Sequence, residues 1–192
     1  MGIKDSMTTL MVREIADYLA KDPEANSKKL FNIARRLTKD KQHRLQIDQV
    51  EEAITRDGNW KDYFQRILKD LDPHVRNTII INYLVKATLL GVPKQHDMAE
   101  KIGVSVPWAI LIDPTDRCNL RCTGCWAGEY TKKNDLSDEL LDRVVGEARD
   151  LGIYFIVLSG GEPLTRQNTI FKLARKYNDM CFLAFTNGTL IT

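Results

Sequence analysis

No apolar run in this 192-residue chain reaches the roughly 18 residues that a membrane-crossing helix needs. The first ten residues carry no apolar core behind a basic segment, so they do not read as a secretory leader. Excess charge of one sign is missing too. Residues 1–105 hold 18 basic and 15 acidic side chains and residues 106–192 hold 10 and 11, for a net charge of +2. That balance argues against a nucleic-acid binder. The densest basic stretch, Lys28 to Arg44, has seven Lys/Arg against one Asp but no interleaved aromatics for stacking on bases, and it reads as a solvated helix face. Histidine is scarce. His43, His74 and His96 stand apart from any second ligand type at helical spacing, which reads as surface or packing rather than metal binding.

Four cysteines are too few and too clustered for a disulfide framework, because three of them fall within eight residues. Clustering without an export signal points to metal in a reducing, cytoplasmic compartment.

The chain divides by pattern near residue 105. Before it, apolar stripes predict a string of helices that we read as an accessory domain over residues 1–105. Met7, Leu10, Met11, Ile15 and Leu19 mark the first helix; Leu30, Phe31, Ala34 and Leu37 the second, behind Ser27 as N-cap. Leu45, Val50, Ala53 and Ile54 mark a third, closed by Asp57-Gly58. Trp60, Phe64, Ile67, Leu68 and Leu71 mark a fourth, with Trp60, Tyr63 and Phe64 expected in a core. Asp72-Pro73 opens a fifth with the face Val75, Ile79, Ile80, Tyr83, Leu84 and Ala87, ending at Gly91; a short sixth follows Pro93.

From residue 106 the pattern changes to strand–helix–strand–helix–strand. The runs Trp108–Asp113, Ile153–Leu158 and Cys181–Phe185 are apolar without alternation, which predicts parallel strands buried on both faces. Ser137 is placed to cap a helix whose face is Leu140, Leu141, Val144, Val145, Ala148 and Leu151. A second helix is expected over Asn168–Tyr177.

Chemistry gathers after the strands. The 23-residue loop Pro114–Leu136 contains Cys118, Cys122 and Cys125 in C-x3-C-x2-C spacing, and loops that long in compact domains are usually functional. Three thiolates on a [4Fe–4S] cluster leave one iron open, whereas zinc needs a fourth ligand. Glu129 and Asp135 are the loop's other candidates, and zinc stays open as an alternative on these grounds. Cys181 begins the third strand, roughly 15 Å from the opposite edge for a five-residue strand, and is expected to be a buried core thiol. Ser159-Gly160-Gly161-Glu162-Pro163 follows the second strand. Its glycines permit close backbone approach to a ligand and its carboxylate is of the kind that holds an ammonium group. Thr186-Asn187-Gly188 follows the third strand. Either could be a simple turn alone, but all three motifs follow the carboxyl ends of successive parallel strands, where α/β folds place their sites.

These motifs resemble those of the radical S-adenosylmethionine (SAM) superfamily, in the flavour of its molybdenum-cofactor cyclase and peptide-maturase branch. The resemblance covers residues 106–192. It implies a partial (β/α) barrel, of which this chain would hold the first three β/α units after an all-α region. It implies that Cys118, Cys122 and Cys125 bind a [4Fe–4S] cluster and that Gly160, Gly161, Glu162 and Pro163 grip SAM, with Thr186 and Asn187 as further candidates. Trp126 stands one residue after the last cysteine; many members have their adenine-flanking aromatic just before it, where this chain has Gly124. The implied function is reductive cleavage of SAM to a 5′-deoxyadenosyl radical that takes hydrogen from a small molecule or peptide, with a reductant such as flavodoxin or ferredoxin. No catalytic side chain is assigned. The alternative function is a non-catalytic iron–sulfur or zinc interaction module. Three parallel strands cannot close, so the expectation is a fragment whose turnover alone is poor.

Overall fold

The computed structural model describes residues 3–37, 41–56, 58–127 and 134–191. The chain forms two compact units, Met1–Ile81 and Asn82–Thr192.

The first unit is helical: α1 (Ile3–Lys21), α2 (Pro23–Leu37), α3 (Lys41–Thr55), α4 (Asn59–Lys69) and α5 (Pro73–Ile79). Asp72 caps α5 as expected, its carboxylate accepting from the backbone N–H groups of His74 at 2.9 Å and Val75 at 3.3 Å. The second helix starts earlier than the sequence pattern suggested. Asp22, not Ser27, supplies the cap, accepting from the Ala25 N–H at 3.1 Å. Ser27 lies buried inside α2, its hydroxyl donating to the Glu24 carbonyl. Trp60 and Tyr63 also differ from expectation: they are 69% and 59% exposed, meeting edge to face at 6.3 Å, and Leu68 is the α4 residue that is buried. Asp57, assigned to the end of α3, lies outside the described residues.

The face of α5 is phased differently from its apolar stripe. Val75 and Ile79 are exposed, while Arg76 and Asn77 are buried. Burial of these polar groups is tolerated because they are bonded: the Arg76 guanidinium donates to Asp17, to the Leu68 carbonyl at 3.2 Å and to the Asn77 side-chain oxygen at 3.1 Å. The helix then widens into a π-helix, Ile80–Leu90, which shifts the positions facing inward.

Gly91 does not end this run. It opens α6 (Gly91–Ile102). A Cβ at Gly91 would lie 2.8 Å from the Lys86 carbonyl oxygen and 2.9 Å from that of Gly152, so glycine serves a close approach here rather than a stop. Residues 82–102 thus belong to the second unit, earlier than the change of pattern near residue 105. Side-chain bonds to backbone carbonyls explain why. Asn82 donates to Asn178 at 3.0 Å and Met180 at 2.9 Å, Gln95 to Gly152 at 2.8 Å, and Lys94 to Arg149 at 3.0 Å. Trp108 donates to the Ala87 carbonyl at 3.0 Å, and the Tyr83, Trp108 and Phe155 rings pack together with centroids 5.1–5.8 Å apart.

These contacts buttress the amino ends of a three-stranded parallel sheet in the order β1 (Ala109–Ile112), β2 (Phe155–Leu158) and β3 (Cys181–Ala184). Helix α7 (Asp138–Asp150) joins the first pair of strands; a 3₁₀ turn, Pro163–Arg166, and α8 (Gln167–Lys176) join the second. Ser137 caps α7, accepting from the Leu140 N–H at 3.1 Å. Leu141, Val145 and Ala148 of α7 and Ile170 and Leu173 of α8 cover one sheet face, packing on Ile112, Ile156 and Leu158. Each fully buried aliphatic side chain stabilises by about 1.5–3 kcal/mol. Leu140, expected on the α7 face, is 36% exposed.

The other sheet face is not fully covered, contrary to the expectation of strands buried on both sides. Leu111 and Leu183 flank Val157 in register and are 59% and 40% exposed. The aromatic layer at the amino ends reaches only the first register row, because Phe155 pairs with Ala109 and Cys181.

Candidate functional site

Register aligns the carboxyl ends of the strands: Ile112, Leu158 and Ala184 are neighbours across the sheet. The ladder runs one step further, with Ser159 N–H donating to the Ile112 carbonyl at 3.0 Å and Phe185 N–H to Leu158 at 2.9 Å. The three motif loops therefore leave from one edge.

The paired glycines face the cysteine loop. Gly161 N–H donates to the Thr115 carbonyl at 3.0 Å, and Glu162 N–H to the Arg117 carbonyl at 2.7 Å. A Cβ would lie 2.4 Å from Thr115 O at Gly160, whose φ is +99°, and 2.2 Å from Arg117 O at Gly161. Both distances are impossible without backbone movement. The close approach the sequence suggested is thus made to the neighbouring loop.

Glu162 holds the second loop to the third. The residue is 1% exposed. One oxygen accepts from Leu164 N–H at 2.9 Å and from the Thr186 hydroxyl at 2.8 Å; the other accepts from Asn187 N–H at 2.8 Å. With three donors already on it, this carboxyl acts as a buried strut between the two loops. Thr186 is engaged in the same strut, and its hydroxyl also accepts from Gly188 N–H at 3.1 Å. Pro163 is buried and starts the 3₁₀ turn.

The cysteine loop is closed at its base. Thr115 and Asp135 form an antiparallel bridge, Leu136 N–H donates to the Pro114 carbonyl at 3.1 Å, and Asp116 N–H to Asn134 at 3.0 Å. Asp135 accepts from the Thr115 hydroxyl at 2.6 Å and pairs with the Arg117 guanidinium. Arg166 then grips both sides of the base. Its guanidinium donates to the Pro114 carbonyl at 2.8 Å, to the Leu136 carbonyl and to Asp138, with only 9% of its side chain exposed. Charge-assisted bonds of this kind are the stronger class. Arg166 was not singled out from the sequence; its only signal was a basic residue three positions after Pro163.

All four cysteines are free thiols, Cys122 and Cys125 exposed and Cys118 and Cys181 half-buried. Among the described residues, no three Cys, His, Asp or Glu side chains come together as a metal-ligating group. Ligand sets whose ordering energy comes from the metal are not generally held in final geometry by the chain alone. The donor chemistry nonetheless suits a three-thiolate cluster. Of the possible fourth ligands, Asp135 is committed to Thr115 and Arg117. Cys181 pairs with Phe155 at the opposite end of the strands. Glu129 lies outside the described residues. Trp126 is 67% exposed beside Cys125, and Gly124, at φ +73°, turns the chain before them.

Cys181 is half-buried rather than a fully buried core thiol. Burial still pushes its pKa up, which lowers its thiolate fraction and its reactivity. Alkylation of the metal-free protein with iodoacetamide, followed by peptide mass spectrometry, is expected to label Cys122 and Cys125 first and Cys181 last. Labelling of Cys181 at the rate of Cys122 would contradict this environment.

Asn119 and Thr189 complete the convergence. Asn119 donates to the Thr189 hydroxyl at 2.8 Å, and the Asn187 amide donates to the Asn119 side-chain oxygen at 2.9 Å and to the Cys118 sulfur at 3.9 Å. Three loops are thereby bonded pairwise, first to second, second to third and third to first.

The pattern of the Radical SAM superfamily matches residues 112–192. Over that stretch the chain is similar to the radical SAM superfamily. Its members are enzymes that use a [4Fe–4S] cluster and SAM. The chain is similar to a GTP 3′,8-cyclase of Rhizobium leguminosarum, 39% identical over 100 residues that span 50% of this chain and 28% of that relative. A GTP 3′,8-cyclase of Desulforamulus reducens is 48% identical over 65 residues, 32% of this chain and 20% of that relative. A probable GTP 3′,8-cyclase of Methanothermobacter marburgensis is 37% identical over 87 residues, 43% and 28%. These are relatives of the molybdenum-cofactor cyclase branch. The chain spans roughly a quarter of the length of the curated relatives it matches. No solved structure matches. No helix among the described residues is long and apolar enough to cross a membrane.

Proposed function

We propose that the radical SAM segment binds a [4Fe–4S] cluster through Cys118, Cys122 and Cys125 and cleaves SAM reductively, using the radical to take hydrogen from a substrate. The observation that carries this reading is the three-loop junction at the carboxyl edge of the sheet, with three thiols on a clamped loop. When bound, the cluster supplies one electron to the sulfonium of SAM, which releases methionine and the 5′-deoxyadenosyl radical.

The chain's own residues bind and orient. The backbone of Gly160 and Gly161 lies against the base of the cysteine loop, which suits its carbonyls to the ammonium of SAM. Glu162 and Thr186 fix that backbone rather than touch the ligand. Trp126, beside the last thiol, offers a flat apolar surface for the adenine. Asn187 stands between the third loop and Cys118.

The three strands correspond to the opening units of a partial (β/α) barrel, with the unit Asn82–Thr192 as the catalytic part and the unit Met1–Ile81 as an accessory part. A flavodoxin- or ferredoxin-type donor supplies the electron. The substrate is a small molecule or peptide; GTP, named in the relatives, is the first to try.

The deciding experiment is anaerobic reconstitution with iron and sulfide, reduction, and addition of SAM. About four irons per chain, a changed paramagnetic spectrum with SAM, and 5′-deoxyadenosine are expected. Uptake of a single tetrahedral zinc, or a spectrum indifferent to SAM, would overturn the reading and leave an interaction module.

A further inference from the structure

We propose that Asn187 is a positioning residue for Cys118, donating a hydrogen bond to its sulfur that raises the reduction potential of the bound cluster; this rests on the cluster assignment above. The side-chain amide of Asn187 is fixed at both ends. Its oxygen accepts from the Thr189 N–H at 3.0 Å and the Thr189 hydroxyl at 2.7 Å. A backbone N–H can only donate, so the amide oxygen must face Thr189 and the NH₂ must face the other way. That NH₂ has two hydrogens and two acceptors. One is the Asn119 side-chain oxygen at 2.9 Å and the other is the Cys118 sulfur at 3.9 Å. Asn119 is itself held, its amide donating to the Thr189 hydroxyl at 2.8 Å. The backbone of Asn187 is anchored on buried Glu162 at 2.8 Å. The donor is therefore oriented before any ligand arrives, by groups that do not depend on the metal.

A ligating thiolate carries negative charge that grows when its cluster gains an electron. A fixed donor on that sulfur favours the reduced form more than the oxidised one, and outer-shell bonds of this kind tune both potential and ligand orientation. One hydrogen bond at typical strength shifts a one-electron equilibrium roughly three- to tenfold.

The test is a dye-mediated potentiometric titration of the reconstituted protein, followed by the EPR signal of the reduced cluster. The step read is addition of one electron from the mediator, with no bond made or broken. Asn187→Ala and Asn187→Asp are expected to keep wild-type iron content and melting temperature while the reduced-to-oxidised ratio at fixed potential falls roughly three- to tenfold. Asn119→Ala removes the other acceptor and leaves the bond to sulfur, so its potential should stay at the wild-type value. An unmoved potential in both Asn187 variants overturns the inference, as does an equal shift in Asn119→Ala. Loss of iron from both Asn187 variants at unchanged melting temperature also overturns it, because Asn187 would then govern loading. Failure of the wild-type chain to take up a cluster sinks the proposed function instead.

Discussion

Cys122→Ser is expected to strip the chain of its cluster while leaving the metal-free fold as stable as before. The Cys122 thiol is exposed, and a change there costs within about 0.5 kcal/mol in the apo protein. Metal binding responds quite differently. Only three thiols are at hand, and the other acidic candidate described at the loop, Asp135, is already bonded to Thr115 and Arg117. Losing even an outer-shell partner costs about 10- to 100-fold in metal affinity, so losing one thiolate of three should cost more. Iron after anaerobic reconstitution should fall at least tenfold, and 5′-deoxyadenosine should fall to background. The same result is expected for Cys118→Ser and Cys125→Ser. Full iron content in any one of these variants would mean that the cluster is held elsewhere.

Glu162→Ala should have the opposite signature, a loss of fold stability that precedes any loss of chemistry. Removing the carboxyl leaves three partly buried donors without their acceptor: Leu164 N–H, the Thr186 hydroxyl and Asn187 N–H. Each unsatisfied donor costs about 1–3 kcal/mol, though the hydroxyl can rotate to another acceptor. A total of about 3–5 kcal/mol is expected, which lowers the melting temperature by on the order of 10 °C. Glu162→Gln separates charge from geometry. Its oxygen can accept on one side, but its NH₂ would oppose the Asn187 N–H, so an intermediate loss of about 1–3 kcal/mol is expected. If Glu162→Ala melts like the wild type but binds SAM poorly, the carboxyl acts on the ligand and not as a strut.

These two residues show how much of the site could be read from the sequence. The three motifs were visible because unalternating apolar runs fix parallel strands, and parallel strands place the following loops on one edge. Spacing by itself singled out Cys118, Cys122 and Cys125 as candidate ligands. The task of Glu162 was not legible, because whether a carboxyl meets solvent or three protein donors depends on which loop covers it. Arg166 was invisible for the same reason: its acceptors, Pro114 and Leu136, are remote in sequence.

The fold divides similarly. Caps at Asp72 and Ser137 act over three residues and were found. Gly91 and Ser27 were misread as stops and starts because their roles depend on packing and on the π-helical widening. The helices over 82–102 look like their predecessors in periodicity, and only long-range bonds such as Asn82 to Met180 join them to the sheet.

The clasp at Pro114 and Leu136 changes what assembly of the metal centre has to achieve. Chain-closure entropy grows with the length of the segment whose ends must be brought together. Here that meeting is already secured by backbone pairing and by Arg166, neither of which uses a thiol. Capturing iron and sulfide then does not also have to bring the two ends of the loop together, and the thiols start from a loop whose base is already fixed.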